Sequence, residues 1–107
     1  MNDDILNQLA GVISARRDAA PETSYVASLQ AAGIDRILRK VGEECTETIV
    51  ASKNGDLESI VYETADLWFH TLIMLAHHDL GPAEVLAELE RRFGLSGIEE
   101  KASRADQ

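Results

Sequence analysis

The segment 40–66, KVGEECTETIVASKNGDLESIVYETAD, contains two helix-like runs separated by the dipeptide Asn54-Gly55. On each side of this dipeptide apolar residues recur every three or four positions, which is the spacing of one face of an α-helix. A glycine at such a break can end one helix, and Asp56 can cap the start of the next. The segment therefore predicts an antiparallel helical hairpin, with arms over about 35–53 and 56–78.

Four carboxylates occupy matching positions on the two predicted arms. Glu44 and Glu47 are three residues apart on the first arm, and Glu63 and Asp66 are three apart on the second. At about 100° per residue, each pair lies beside the apolar stripe of its helix, whereas Glu43 points further toward solvent. Counted outward from the turn, Glu47 and Glu63 are each about eight residues away, and Glu44 and Asp66 are each about eleven residues away. All four acids should therefore meet within about one helical turn of height.

Such a cluster of acids favours a bound cation. Unpaired carboxylates beside a core repel one another and raise each other's pKa, so they stay ionised only if cations neutralise them. Oxygen ligands suit Mg²⁺, with Mn²⁺ as a substitute, whereas a di-iron bundle would use Glu-x-x-His pairs that this chain lacks. The alternative is that these acids are ordinary solvated charges on helix surfaces. The predicted metal ligands are Glu44, Glu47, Glu63 and Asp66.

The charge balance of the chain limits its partners. It carries 10 Lys and Arg against 19 Asp and Glu, a net charge of −9, which is the wrong sign for binding nucleic acid or an anionic membrane surface. A polyphosphate substrate would therefore need cations between itself and the protein. The composition thus favours a metal requirement for any nucleotide substrate.

Several sequence features predict a cytoplasmic protein without a membrane span. The lone Cys45 cannot form an internal disulfide, and its helix angle places it on the core side as a small buried hydrophobe. Residues 1–9 lack the basic start and apolar run of a secretory leader. Polar residues interrupt every apolar stretch well before the ~18 residues needed to cross a bilayer.

Further helices are expected on both sides of the hairpin, and no alternating strand pattern is visible, so the predicted class is all-α and the predicted domain is single, over 1–107. The flanking helices are predicted over about 2–18, 25–32 and 82–93, followed by a polar tail over about 95–107. The stripe expected to face the core on the first arm comprises Ile34, Ile37, Leu38, Val41, Cys45 and Ile49. Because the second arm is apolar on several sides, we expect a second copy to cover it, giving a multi-helix bundle by homodimerisation or a dimer of dimers.

The acidic motifs resemble a known signature. Glu44-x-x-Glu47 with a preceding Glu43, followed by Glu63-x-x-Asp66, is similar to the pattern of the all-α nucleoside-triphosphate pyrophosphatases, the MazG-like superfamily. The wider string resembles more closely the phosphoribosyl-ATP pyrophosphatase family of histidine biosynthesis. Its matching positions are Ser24-Tyr25, Leu29, Gly33, Lys40-Val41-Gly42-Glu43-Glu44, Lys53, Tyr62-Glu63, Ala65-Asp66-Leu67 and His70. Departures fall on packing positions, where Cys45 replaces the usual alanine and Trp68-Phe69 replaces an aliphatic-tyrosine pair.

The resemblance implies magnesium-dependent hydrolysis of phosphoribosyl-ATP to phosphoribosyl-AMP and pyrophosphate. Glu44 would contribute to catalysis through the metal, and Glu43 is the candidate for positioning or deprotonating the attacking water. Lys40 and Lys53 are candidate contacts for substrate phosphates, although Lys40 could instead pair with Glu44 one helical turn away. Tyr25 is a candidate substrate contact or a packing residue.

Two other interpretations stay open from the sequence. A related housecleaning enzyme would hydrolyse non-standard nucleoside triphosphates instead of phosphoribosyl-ATP. A non-catalytic helical dimerisation module would use the acidic face without metal chemistry. For His70, a role as a packed residue, or as one that contacts a metal ligand, is favoured over direct metal ligation.

Overall fold

The structure, a computed structural model, describes residues 4–93. Its helices are α1 (Ile5–Arg16), α2 (Tyr25–Ala32), α3 (Ile34–Asn54), α4 (Leu57–His77) and α5 (Pro82–Arg91), with a 3₁₀ turn at Pro21–Thr23 before α2. Every regular element in this range is helical, which confirms the predicted all-α class. The predicted tail over 95–107 lies outside the described residues.

The turn between α3 and α4 forms by local capping. Gly55 takes the left-handed conformation with φ of 72°, and its N–H donates to the carbonyls of Ala51 and Ser52 at 3.1 Å each. Asp56 then caps α4, because its carboxylate accepts from the backbone N–H of Ser59 at 3.4 Å and from the Ser59 hydroxyl at 3.0 Å. The predicted hairpin is therefore confirmed, and its turn fixes which residues of the two arms stand at the same height.

Gly55 allows a direct test of this turn. Replacing Gly55 with alanine should lower the free energy of unfolding by about 1 kcal/mol, because an L side chain is disfavoured in the left-handed region. Gly42→Ala is the matched control: Gly42 lies inside α3, and a Cβ there would meet nothing within 4 Å. This control should raise stability by up to ~1 kcal/mol, since alanine is the better helix former. Chemical denaturation measures both changes, and equal signs for the two variants would contradict the assignment.

The apolar core lies at the end of the hairpin away from its turn. Here α1 and α2 pack against α3 and α4, and Ile37 and Ile73 are completely buried. The buried core cluster comprises Ile13, Val26, Leu29, Ile37, Leu72 and Ile73. Because this core covers only one end of the hairpin, the middle of the two long helices is left open on its outer faces.

The stripe predicted to face the core on α3 is wrong at several positions. Cys45 is exposed, and Leu38 and Ile49 are 45% and 64% exposed. Ile37 is buried as predicted, and the other buried positions of α3 are Glu44 and Ala51, so that the three buried residues follow one another at intervals of seven. Two packed antiparallel helices contact each other along a narrow line of residues that repeats about every seven positions. Only part of the apolar face of α3 therefore becomes buried.

Much of α4 is also uncovered within one chain. Leu57, Val61 and Trp68 are 76%, 70% and 57% exposed, although the second half of α4 contributes Leu72 and Ile73 to the core. None of the described helices is both long enough and apolar enough to cross a membrane. The first half of α4 thus presents an apolar surface to its surroundings.

Candidate metal centre

The hairpin brings the four predicted acids together. One carboxylate oxygen from each of Glu44, Glu47, Glu63 and Asp66 lies within 4.8 Å of the others. Two acids come from each helix, as the counting from the turn predicts, and Glu44 is the most buried, at 3% exposure. Carboxylate oxygens this close together are the ligand type that hard divalent cations prefer. Their role as ligands stays a prediction.

The acids perturb one another's protonation. Loss of solvent raises the pKa of Glu44 to about 7, and hydrogen bonds to the carboxylates of Asp66 and Glu47, together with their charge, add to the shift. Desolvation likewise raises the pKa of Glu63, with Glu47 as the next contributor. The ionised form of this cluster is therefore unfavourable without a counter-charge.

Two oxygen atoms in the cluster are buried and lack a partner among the described residues. They are Oε2 of Glu44 and Oε2 of Glu63. Buried polar atoms are nearly always satisfied, so a pair of unpartnered carboxylate oxygens on facing helices fits a site that binds a ligand. An all-oxygen set fits a hard divalent cation, and the residues present therefore fit a metal of this type.

Thr48 holds the two helices together at the level of the acids. Its hydroxyl lies 2.7 Å from the carbonyl of Glu44 and 3.2 Å from the carbonyl of Glu63 on the facing helix. Thr48 is not among the site residues predicted from the sequence. A signal was available, because Thr48 follows Glu44 by one helical turn and so lies on the same inner face.

Lys40 and Glu43 lie at the edge of the cluster. The Nζ atom of Lys40 is 3.3 Å from Oε2 of Glu43 and 3.6 Å from Oε1 of Glu44. The ion pair with Glu44 that was the alternative role for Lys40 is therefore present, and the hydrogen bond to Glu43 raises the pKa of Lys40. The carboxylate of Glu43 is half exposed, outside the group of four, as expected.

An open cleft adjoins the acids on the side of the hairpin turn. It has a volume of about 380 Å³ and extends from Glu47 and Glu63 to Asn54 and Asp56. This size is in the range of small-ligand sites. The exposed Lys53 is not among the residues that line the cleft, so the structure does not bring it to the acids.

Tyr25, predicted as a substrate contact, is engaged within the chain. Its hydroxyl lies 2.7 Å from Nε2 of His70, and Nδ1 of His70 lies 2.8 Å from the carbonyl of Asp66. This connection is not predicted from the sequence. Tyr25 and His70 are 45 residues apart, on different helices, and no local pattern reports such a pairing.

These features define a class of protein: an all-α hairpin with a carboxylate cluster suited to a divalent metal, as in the all-α nucleotide pyrophosphohydrolases. Residues 6–93 match the sequence model of the family described as phosphoribosyl-ATP pyrophosphohydrolase. The chain therefore belongs to this family. That confirms both the predicted family and the prediction of an enzyme.

Individual relatives agree with the family match. A phosphoribosyl-ATP pyrophosphatase of Geobacter sulfurreducens is 62% identical over 102 residues, which cover 95% of this chain and 94% of the relative. One from Methylococcus capsulatus is 57% identical over 101 residues, covering 94% and 96%. One from Hydrogenovibrio crunogenus is 54% identical over 109 residues, covering 98% and 96%. The similarity thus extends over nearly the whole length of the proteins.

Proposed function

We propose that this chain hydrolyses phosphoribosyl-ATP to phosphoribosyl-AMP and pyrophosphate, with Mg²⁺ held by Glu44, Glu47, Glu63 and Asp66. The observation that carries the proposal is the set of four carboxylate oxygens within 4.8 Å of one another; two of the four residues, Glu44 and Glu63, have a buried oxygen with no partner among residues 4–93. Family membership and the names of the relatives supply the substrate. Mn²⁺ would substitute, since it accepts the same ligands.

The reaction adds one water across the phosphoanhydride bond between the α- and β-phosphorus atoms. When bound, Mg²⁺ neutralises the triphosphate and lowers the pKa of a coordinated water. The four acids hold and orient the cation. Glu43, which lies outside the group of four, positions or deprotonates the attacking water, and Lys40, 3.3 Å from Glu43, contacts a phosphate oxygen. Lys53 remains a candidate phosphate contact only if a substrate reaches the end of α3.

The substrate assignment is tested by pyrophosphate release from phosphoribosyl-ATP and from a panel of deoxynucleoside triphosphates, with and without Mg²⁺. We expect the largest kcat/KM for phosphoribosyl-ATP, no release without metal, and a higher melting temperature with Mg²⁺, since a ligand of the folded state stabilises it. Faster turnover of the deoxynucleotides would favour the housecleaning enzyme. Neither stabilisation nor release with Mg²⁺ would favour the dimerisation module.

The same proposal includes a homodimer formed through the uncovered apolar surface. Val61 and Trp68 of α4 are exposed, and Trp68 continues into an apolar groove of about 180 Å³ that Leu86 and Leu89 of α5 also line. Continuous exposed apolar surface of this kind marks a protein contact, and a second copy is the occupant that would bury the matching surface on both sides. The proposal also takes 1–107 as one domain acting in the cytoplasm.

Sedimentation velocity tests the dimer. The full chain should sediment with twice the mass of one chain, and Trp68→Glu should shift it to the monomer because a charge would be buried at the contact. Val12→Glu, at an exposed apolar position of α1 that belongs neither to α4 nor to the lining of the groove, is the matched control. Monomeric behaviour of the unmodified chain at micromolar concentration would refute this part of the proposal.

A further inference from the structure

A short chain of hydrogen bonds leads from α2 to the acid cluster. The Tyr25 hydroxyl lies 2.7 Å from Nε2 of His70, and Nδ1 of His70 lies 2.8 Å from the carbonyl of Asp66 and 3.4 Å from its Oδ1. A carbonyl oxygen can only accept, so Nδ1 is the donor in its bond to Asp66, which leaves Nε2 to pair with the tyrosine hydroxyl. Both ring nitrogens of His70 are therefore occupied.

The rings are also fixed by packing. The ring of Tyr25 stacks on Phe69 at 6.4 Å between centroids with 18° between planes, and it meets the edge of His70 at 5.7 Å and 86°. Ser24 caps α2 by accepting from the N–H of Ala27, which sets where Tyr25 leaves the backbone. His70 itself is 3% exposed. The Tyr25 side chain is half exposed, and its bond to His70 and its ring contacts engage it on the side that faces α4.

His70 is near enough to the cluster to act on it. One of its ring nitrogens lies within 4.8 Å of a carboxylate oxygen of Glu44 and of Asp66. Direct ligation by Nδ1 would break the bond to the Asp66 carbonyl, whereas ligation by Nε2 would displace the tyrosine hydroxyl. The Nδ1 atom instead bonds the backbone carbonyl of Asp66 and lies 3.4 Å from Oδ1 of the same residue, so its N–H stands beside the carboxylate.

We propose that Tyr25 and His70 are positioning residues that hold Asp66 ready for the metal, so that Tyr25 acts through His70 and does not act as a substrate contact. The inference rests on the proposed function, because Asp66 is a metal ligand only there. A carboxylate fixed before the cation arrives loses less conformational freedom on binding. Loss of such a partner typically weakens metal binding by about 10- to 100-fold.

Three substitutions separate the two bonds of His70. In His70→Asn the amide can place an N–H near the position of Nδ1 and keep the contact with Asp66. His70→Gln extends further and can reach the tyrosine while losing the Asp66 side. Tyr25→Phe removes only the hydroxyl and keeps the ring packed. Tyr62→Phe is the matched control, because Tyr62 is the only other tyrosine and is 69% exposed.

Metal affinity is the measurement that distinguishes positioning from a general structural role. Two quantities are measured: the half-saturating Mg²⁺ concentration for pyrophosphate release, and the dissociation constant of Mn²⁺ by electron paramagnetic resonance without nucleotide. We expect both to rise about 10- to 100-fold in His70→Gln. The same two quantities should rise ~3- to 10-fold in Tyr25→Phe and stay within about threefold of the unmodified protein in His70→Asn and Tyr62→Phe. At saturating metal, kcat should change little in all four.

Two results would overturn the inference. One is unchanged Mn²⁺ affinity in both His70→Gln and Tyr25→Phe, even with a lowered melting temperature, since the pair would then only pack. The other is ¹⁴N coupling to Mn²⁺ bound to the unmodified protein, which would make His70 a direct ligand. A lack of pyrophosphate release by the unmodified enzyme would refute the proposed function instead, and the Mn²⁺ arm would still decide the positioning role.

Discussion

Replacing Glu63 with glutamine is expected to reduce magnesium-dependent pyrophosphate release by at least ~100-fold, which corresponds to about 2.7 kcal/mol of transition-state stabilisation. Glutamine has nearly the same shape, but it removes a negative charge and one of the oxygens that a cation needs. Glu63 faces Glu47 across the hairpin, and its Oε2 is buried without a partner among residues 4–93. The loss should appear in kcat/KM and should not be recovered by raising substrate concentration.

The control for this variant is Glu58→Gln on the same helix. Glu58 lies in the exposed first turn of α4, so the substitution removes the same charge without touching the cluster. It should leave pyrophosphate release within about twofold, with only a small effect on the helix end. Glu47→Gln should behave like Glu63→Gln, because the two acids stand at the same height. Activity within threefold of the unmodified enzyme in both cluster variants would show that these acids do not hold the metal.

The hairpin and the grouping of the acids were predictable because they depend on local chemistry. Gly55 and Asp56 end one helix and begin the next through bonds that span only a few residues. Once that turn is fixed, the rise of the helix decides which acids face each other, and no other part of the chain is needed. Counting residues outward from the turn was therefore enough to predict that Glu47 lies beside Glu63.

The features that could not be predicted from the sequence depend on how the other helices pack against the hairpin. Cys45 and Ile49 belong to an apolar face by pattern, yet whether a neighbour covers that face is decided by distant segments, and within one chain both are exposed. The contact between Tyr25 and His70 likewise forms only because α2 docks against α4. Periodicity reports which face is apolar, whereas the identity of the packing partner requires the fold.

The second large effect concerns the negative charge of Glu44. This charge should lower the stability of the metal-free protein, whereas metal binding and pyrophosphate release should depend on it. Loss of solvent and the neighbouring acids raise the pKa of Glu44 to about 7 from an ordinary value of 4.5. Between these two pH values the metal-free folded state retains a proton that the unfolded chain has released, so stability falls as the pH rises through this window. The difference between the two pKa values corresponds to a loss of about 3 kcal/mol, complete above pH ~7 and absent below pH ~4.5.

Glu44→Gln should therefore make the metal-free protein more stable at pH 8, by up to ~3 kcal/mol, and leave it nearly unchanged at pH 4.5. Glu43→Gln, at the half-exposed neighbouring position, should change stability by less than about 1 kcal/mol at either pH. Urea denaturation in the presence of a chelator measures both variants. A stability difference for Glu44→Gln that does not grow with pH would contradict the protonation argument.

At pH 8, adding Mg²⁺ should make the unmodified protein more stable than Glu44→Gln. The unmodified protein recovers the lost stability because the cation takes the place of the proton among the four carboxylates, and the gain should increase with metal concentration. Glu44→Gln lacks the charge that draws the cation in, so it should gain little and release pyrophosphate at least ~100-fold more slowly. One buried carboxylate would then account for both the instability of the metal-free hairpin and the activity of the loaded enzyme. Equal stabilisation of the two proteins by Mg²⁺ would place the cation elsewhere.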